Sequence, residues 1–173
     1  YIVYKSKIFR IEKCNIDFEP IIDRKKLIYR FTANGQPMTE LRLVAFSQKI
    51  DTIIKTLYDE KIKKVYFIFN IEKLLIPSNF TLLSDFALVF HNHNTVLKQK
   101  LEFTIVQNST NVFLLFFRVF KQYYNPVKSL YLCLNDDQVF TCLHEEESRH
   151  LFPNIISLIE KEEESTHESM PDT

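Results

Sequence analysis

Three short runs of aromatic and β-branched residues constrain the fold more than anything else in this chain. Residues 64–71 (KVYFIFNI), 101–106 (LEFTIV) and 129–134 (SLYLCL) are apolar almost without interruption. A strand with one wet face alternates apolar and polar side chains, so these runs predict strands buried on both faces of a sheet. Helical patterns fill the gaps. Pro77-Ser78-Asn79 opens a helix with Leu82, Leu83, Phe86, Ala87 and Phe90 on one face. It ends near 92–94, unless it resumes through Val96 and Leu97. A further helix covers 111–124, and Asn125-Pro126 stops it. Strand–helix–strand–helix–strand implies parallel pairs joined by right-handed crossovers.

The N-terminal third reads as extended. Residues 7–18 alternate in part, residues 26–33 (KLIYRFTA) are rich in β-formers, and Pro20 stands as a breaker between them. Asn34-Gly35 is the strong turn dipeptide and is placed at the edge of an opening hairpin. Residues 40–46 (ELRLVAF) fit either a returning strand or the first turns of a helix beginning at Thr39. From Ser47, a plausible N-cap, Ile50, Ile53, Ile54, Leu57 and Tyr58 follow a helical period, which predicts a helix over 47–61. Near the C-terminus, Asp136 or Asp137 caps a helix carrying Val139, Phe140 and Leu143, with a hairpin strand at 138–143 as the competing reading. Pro153 suits the first turn of a last helix, 154–161. The expected fold is therefore α/β: a β-hairpin, then alternating helix–strand units, with a mainly parallel sheet of about four to six strands covered by helices. A single domain spans 1–159, and 160–173 is expected to be an acidic, disordered tail.

Gly35 is the only glycine among 173 residues. A P-loop, a dinucleotide fingerprint and a nucleophile elbow all need glycines where backbone meets ligand, so none of them exists here. Lysine plus arginine number 22, and so do aspartate plus glutamate, which gives no net charge and argues against nucleic acid as a partner. The three cysteines, Cys14, Cys133 and Cys142, form no C-x-x-C, which favours a reducing, cytoplasmic compartment. Peripheral attachment to a membrane stays open. No transmembrane span is expected, because the apolar run 112–120 is about half the ~20 residues a crossing needs. Scarce Gly and Ala beside abundant Ile, Lys, Asn, Phe and Tyr fit an AT-rich genome.

The order of elements resembles the related architecture of STAS domains and Sec14-like (CRAL-TRIO) lipid-binding domains. The stretch 58–74 (YDEKIKKVYFIFNIEKL) looks like the STAS helix-to-strand passage, and 132–143 (LCLNDDQVFTCL) is similar to the closing strand and capped helix of both families. Residues 104–126, a strand entering a strongly apolar helix, are more like the Sec14-like group. Where STAS antagonists carry an Asp-Ser-Ser-Gly-like turn, this loop reads Ile76-Pro77-Ser78-Asn79-Phe80, so the resemblance leaves Ser78 as the regulatory position.

Chemistry-bearing residues are few. His91 and His93 at i, i+2 do not share a helix face, and no further ligand stands at zinc spacing. Glu146 and His150 are spaced for a surface pair. Cys133 reads as a buried structural thiol. Adjacent Asp136 and Asp137 read as caps before they read as cation ligands. No catalytic residue, metal or cofactor is expected. The sharpest feature is the helix at 111–124, which is apolar on nearly every face. Phe113, Phe117 and Phe120, with Leu114 beside them, form one stripe and are the expected anchors for a protein partner or a lipid. Val112, Leu115, Phe116, Val119 and Tyr123 are assigned to the sheet. The leading expectation is a non-catalytic structural or regulatory protein-interaction module. A Sec14-like carrier of lipid or another hydrophobic ligand is the alternative.

Overall fold

A computed structural model of the chain describes residues 15–75, 83–110 and 112–167. Cys14 and Ser78 lie outside the described residues. Strands β1 (Ile16–Asp23), β2 (Lys26–Ala33), β3 (Val65–Asn70), β4 (Leu101–Gln107) and β5 (Leu130–Cys133) form one sheet in sequential order. β1 and β2 are antiparallel, and the other neighbours are parallel. Helices α1 (Glu40–Thr56), α2 (Leu83–Asn92), α3 (Asn94–Lys100) and α4 (Val112–Lys121) lie between the parallel strands. After β5 come α5 (Asp136–His144), a 3-10 helix (Glu146–Leu151) and α6 (Ile155–His167). The architecture is α/β with a five-stranded, mostly parallel sheet.

Sequential order decides where the helices go. Right-handed crossovers that step across a sheet in one direction put the connecting helices on one face. The burial pattern agrees: α1 to α4 and α6 share one core with Phe31, Phe67 and Val106. The opposite face carries a smaller core, in which Tyr66, Ile68, Phe103 and Ile105 meet Val139, Cys142 and Leu143 of α5. Both faces of β3 and β4 are covered, so both strands read as unbroken apolar runs.

The opening hairpin differs from the sequence reading in its turn. Pro20 does not break β1, because β1 is an edge strand and its missing N–H need not meet a partner. The chain reverses at Arg24 and Lys25, whose φ angles of 47° and 65° make a two-residue turn between paired Asp23 and Lys26. Gly35, at φ 82°, turns the chain from β2 toward α1 instead. A side chain there would meet nothing nearer than Lys73 Cβ at 4.0 Å, so the backbone angle alone selects glycine.

Three helix ends are also corrected. α1 begins at Glu40 under Thr39, whose hydroxyl accepts from Arg42 N at 3.2 Å. Residues 40–46 are therefore helical, because Leu43 and Phe46 extend the buried stripe of Ile50, Ile53 and Ile54. Ser47 is no cap: it sits inside the helix and its hydroxyl donates to Leu43 O at 2.8 Å. The cap of α5 is Asn135, whose Oδ1 accepts from Gln138 N at 2.9 Å. Asp136 and Asp137 follow in the first turn, where negative charge favours the helix dipole. The last helix runs further than 161, since α6 carries the acidic stretch from Glu160 on to His167. Glu160 and Glu163 of that stretch face Lys121 of α4, and Glu162 pairs with Arg118.

Candidate functional site

Large rings set the orientation of α4. Phe113, Phe117 and Phe120 recur at i, i+4 and i+7, with Tyr124 one turn further. They form a column with ring centroids 5.9 to 6.0 Å apart. Phe120 also meets Phe86 and Phe90 of α2 at 5.7 and 5.8 Å. Burying this column removes more apolar area from water than burying the opposite stripe. Phe113, Phe117 and Phe120 accordingly face the sheet and are 8%, 3% and 7% exposed. Leu114 is half-buried against the same core. The outward residues are Leu115 and Tyr123, at 54% and 47% exposure. Of the stripe assigned to the sheet, Leu115 and Tyr123 thus turn outward while Phe116 and Val119 pack half-buried against the core, and the three buried phenylalanines are not free to anchor an external partner.

The column does not close fully on the sheet. A cavity of about 110 Å³ remains beneath it. Phe67, Phe69, Thr104 and Val106 form its floor, α4 its roof, and Phe46, Phe86 and Phe90 its sides. Polar atoms in this wall are scarce. Tyr124 donates its hydroxyl to Asn94 Oδ1 at 3.2 Å, and burial pushes its pKa up to about 12. Lys128, just before β5, is the only charged side chain among the described lining residues. No carboxylate, histidine or cysteine lines the cavity among the described residues.

The other candidates are dispersed. His91 is exposed at the end of α2, while His93 is buried. His93 Nε2 stands 2.8 Å from Asp51 Oδ1, and Nδ1 stands 3.0 Å from the Tyr58 hydroxyl. A carboxylate only accepts, so Nε2 donates to Asp51, and Nδ1 shares a hydrogen bond with the Tyr58 hydroxyl. Hydrogen bonds from Lys55 and from His93 hold the Asp51 carboxyl below the usual range. Sequence reasoning missed this trio, because Asp51 and His93 meet only through the packing of α1 on the α2–α3 junction. The His144 side chain is enclosed, and its Nε2 stands 2.8 Å from Asp23 Oδ2. Glu146 and His150 lie in a 3-10 helix, whose period of three does not stack residues four apart. Asp136 accepts from Gln107 Nε2 at 2.9 Å. Cys133 is fully buried, and its hydrogen bond with Cys142, together with burial, pushes its thiol pKa well up. No group of His, Cys, Asp or Glu among the described residues could hold a metal ion. No helix among the described residues is long and apolar enough to cross a membrane.

No protein-family model, curated protein or solved structure matches this chain.

Proposed function

We propose that this chain is a non-catalytic α/β binding domain that takes a small apolar ligand into the cavity beneath α4. The observation that carries this reading is the cavity: about 110 Å³ walled by aromatic rings, in an interior that would otherwise close-pack. A dry apolar cavity of about 150 Å³ takes up benzene or xenon. The space here is smaller than that one, so it suits a ligand of few heavy atoms. That is far below a two-tailed lipid, so the ligand is smaller than the Sec14-like resemblance implies. The sequential β-α order supports that resemblance at the level of architecture. The lack of any histidine, carboxylate or thiol in the described wall supports a binding role over a catalytic one. Two buried free thiols, Cys133 and Cys142, support a reducing, cytoplasmic setting.

Xenon, a single atom, tests the reading. It should raise the melting temperature and shift the methyl resonances of Leu97, Leu101 and Val106, which line the space. If xenon under pressure moves neither, the cavity is not a ligand site.

Exposed Leu115 and Tyr123 favour a second reading, a protein-interaction module that docks on the outer stripe of α4. Its anchors would be these two residues in place of Phe113, Phe117 and Phe120. The double variant Leu115→Ser, Tyr123→Ser should release a partner that co-purifies with the wild-type chain. Retention of that partner would dismiss the outer stripe.

A further inference from the structure

Lys128, the one cation among the described lining residues, bears on what the cavity would hold. Among the described residues, the half-buried lysines other than Lys128 each have a partner. Lys26 donates to Leu143 O at 2.5 Å, and Lys49 lies 5.6 Å over the Phe18 ring. Lys100 donates to the carbonyls of Leu57 and Asp59, and Lys121 faces Glu160 and Glu163. Lys128 has no carboxylate, carbonyl or ring partner among the described residues, yet it lines an apolar cavity. Its partial exposure places it where that wall reaches the surface. A lysine so placed lays its stem along apolar neighbours and keeps its ammonium at the rim.

We propose that the ligand is a small monoanionic amphiphile, a short-chain carboxylate, whose apolar body enters the cavity and whose carboxylate pairs with Lys128. This rests on the reading of the cavity as a ligand site. Two observations fit together here. The volume suits a short apolar tail, and a carboxylate at the rim gives the ammonium the partner it lacks. A neutral ligand of the same size would fill the space and leave Lys128 unpaired. A dianion would leave one charge uncompensated beside apolar wall, which costs free energy.

Sodium pentanoate and 1-pentanol separate the two levels of the proposal. Both carry a tail of suitable length, and only pentanoate is charged. Titration followed by methyl NMR should show pentanoate binding roughly tenfold more tightly than pentanol, the usual range for a hydrogen bond to a charged group. Lys128→Met should erase that preference, while Lys128→Arg should keep it. If pentanol binds and pentanoate binds no better, or if the preference survives in Lys128→Met, the anion assignment is wrong and the cavity reading stands. If neither compound binds the wild-type protein, both fall. Lys128→Gln repeats the test should the methionine variant fail to fold.

Discussion

His93 Nε2 and Asp51 Oδ1 lie 2.8 Å apart, and through them the middle of α1 is fastened to the point where α2 gives way to α3. The link matters for the cavity because α1 and α2 supply its side walls, Phe46 and Phe86, whose rings stack at 5.2 Å. The Tyr58 hydroxyl holds the other imidazole nitrogen at 3.0 Å, so both ring nitrogens of a buried histidine are satisfied. The trio is best understood as a brace on the wall of the cavity.

The brace predicts an acid-sensitive component of stability. Hydrogen bonds from Lys55 and His93 depress the folded-state pKa of Asp51. A carboxyl with a depressed folded pKa contributes stability that is fully present above its unfolded value, about 3.9, and is lost as pH falls through the folded value. Asp51→Asn should therefore cost about 1 kcal/mol at pH 7, the range of one hydrogen bond. The gap between variant and wild type should shrink below about pH 4. Urea unfolding at pH 7 and pH 3 measures it, and a gap that stays constant would remove the assigned cause.

The two stripes of α4 predict opposite sensitivities. Phe117 is buried in the ring column, so Phe117→Ala should destabilise by about 3–5 kcal/mol. Leu115 is exposed, so Leu115→Ser should change stability by about 0.5 kcal/mol or less. Melting temperatures of the two variants rank them. Equal losses would mean that α4 is rotated from its described orientation.

The fold class was legible because its signal is local. Doubly buried strands announce themselves as apolar runs, and 64–71, 101–106 and 129–134 lie over β3, β4 and β5. Orientation within an element was not legible. α4 reads as apolar on nearly every face, but its rings Phe113, Phe117 and Phe120 share the face that buries most area, and Phe120 meets Phe86 and Phe90 there. Caps failed for a related reason. Ser47 has the right side chain, but Leu43 and Phe46 find core partners that extend the helix past it. The hairpin turn was hidden because Arg24-Lys25 lacks the residues that normally mark positive φ. The site's aromatic residues were named from sequence, as anchors for a protein partner or a lipid. The cavity, Lys128 and the His93 brace depend on contacts between distant segments, which no local pattern carries.

Thiol reactivity should follow burial. Cys133 and Cys142 are fully enclosed, and the thiol pKa of Cys133 is raised, which disfavours the reactive thiolate. In the native protein neither should react with iodoacetamide over hours, and both should react within minutes in guanidinium. Peptide mass spectrometry distinguishes the sites. Rapid native labelling of Cys133 would show that β5 and α5 separate readily.

The turn at Arg24 and Lys25 predicts a stabilising substitution. Left-handed φ costs an ordinary side chain on the order of 1 kcal/mol, and glycine escapes that cost. Arg24 contributes elsewhere, since its guanidinium lies 5.0 Å from the Phe140 ring centroid. Lys25, at φ 65°, is exposed. Lys25→Gly should therefore raise stability by roughly 0.5–1 kcal/mol, less whatever the unfolded chain gains in freedom from the new glycine. Gly35→Ala is the mirror experiment: at φ 82° with open space around it, the variant should lose roughly 1 kcal/mol through backbone strain alone. Urea unfolding of both variants checks the pair. A stabilised Gly35→Ala would place the strain of this chain somewhere other than in its left-handed residues.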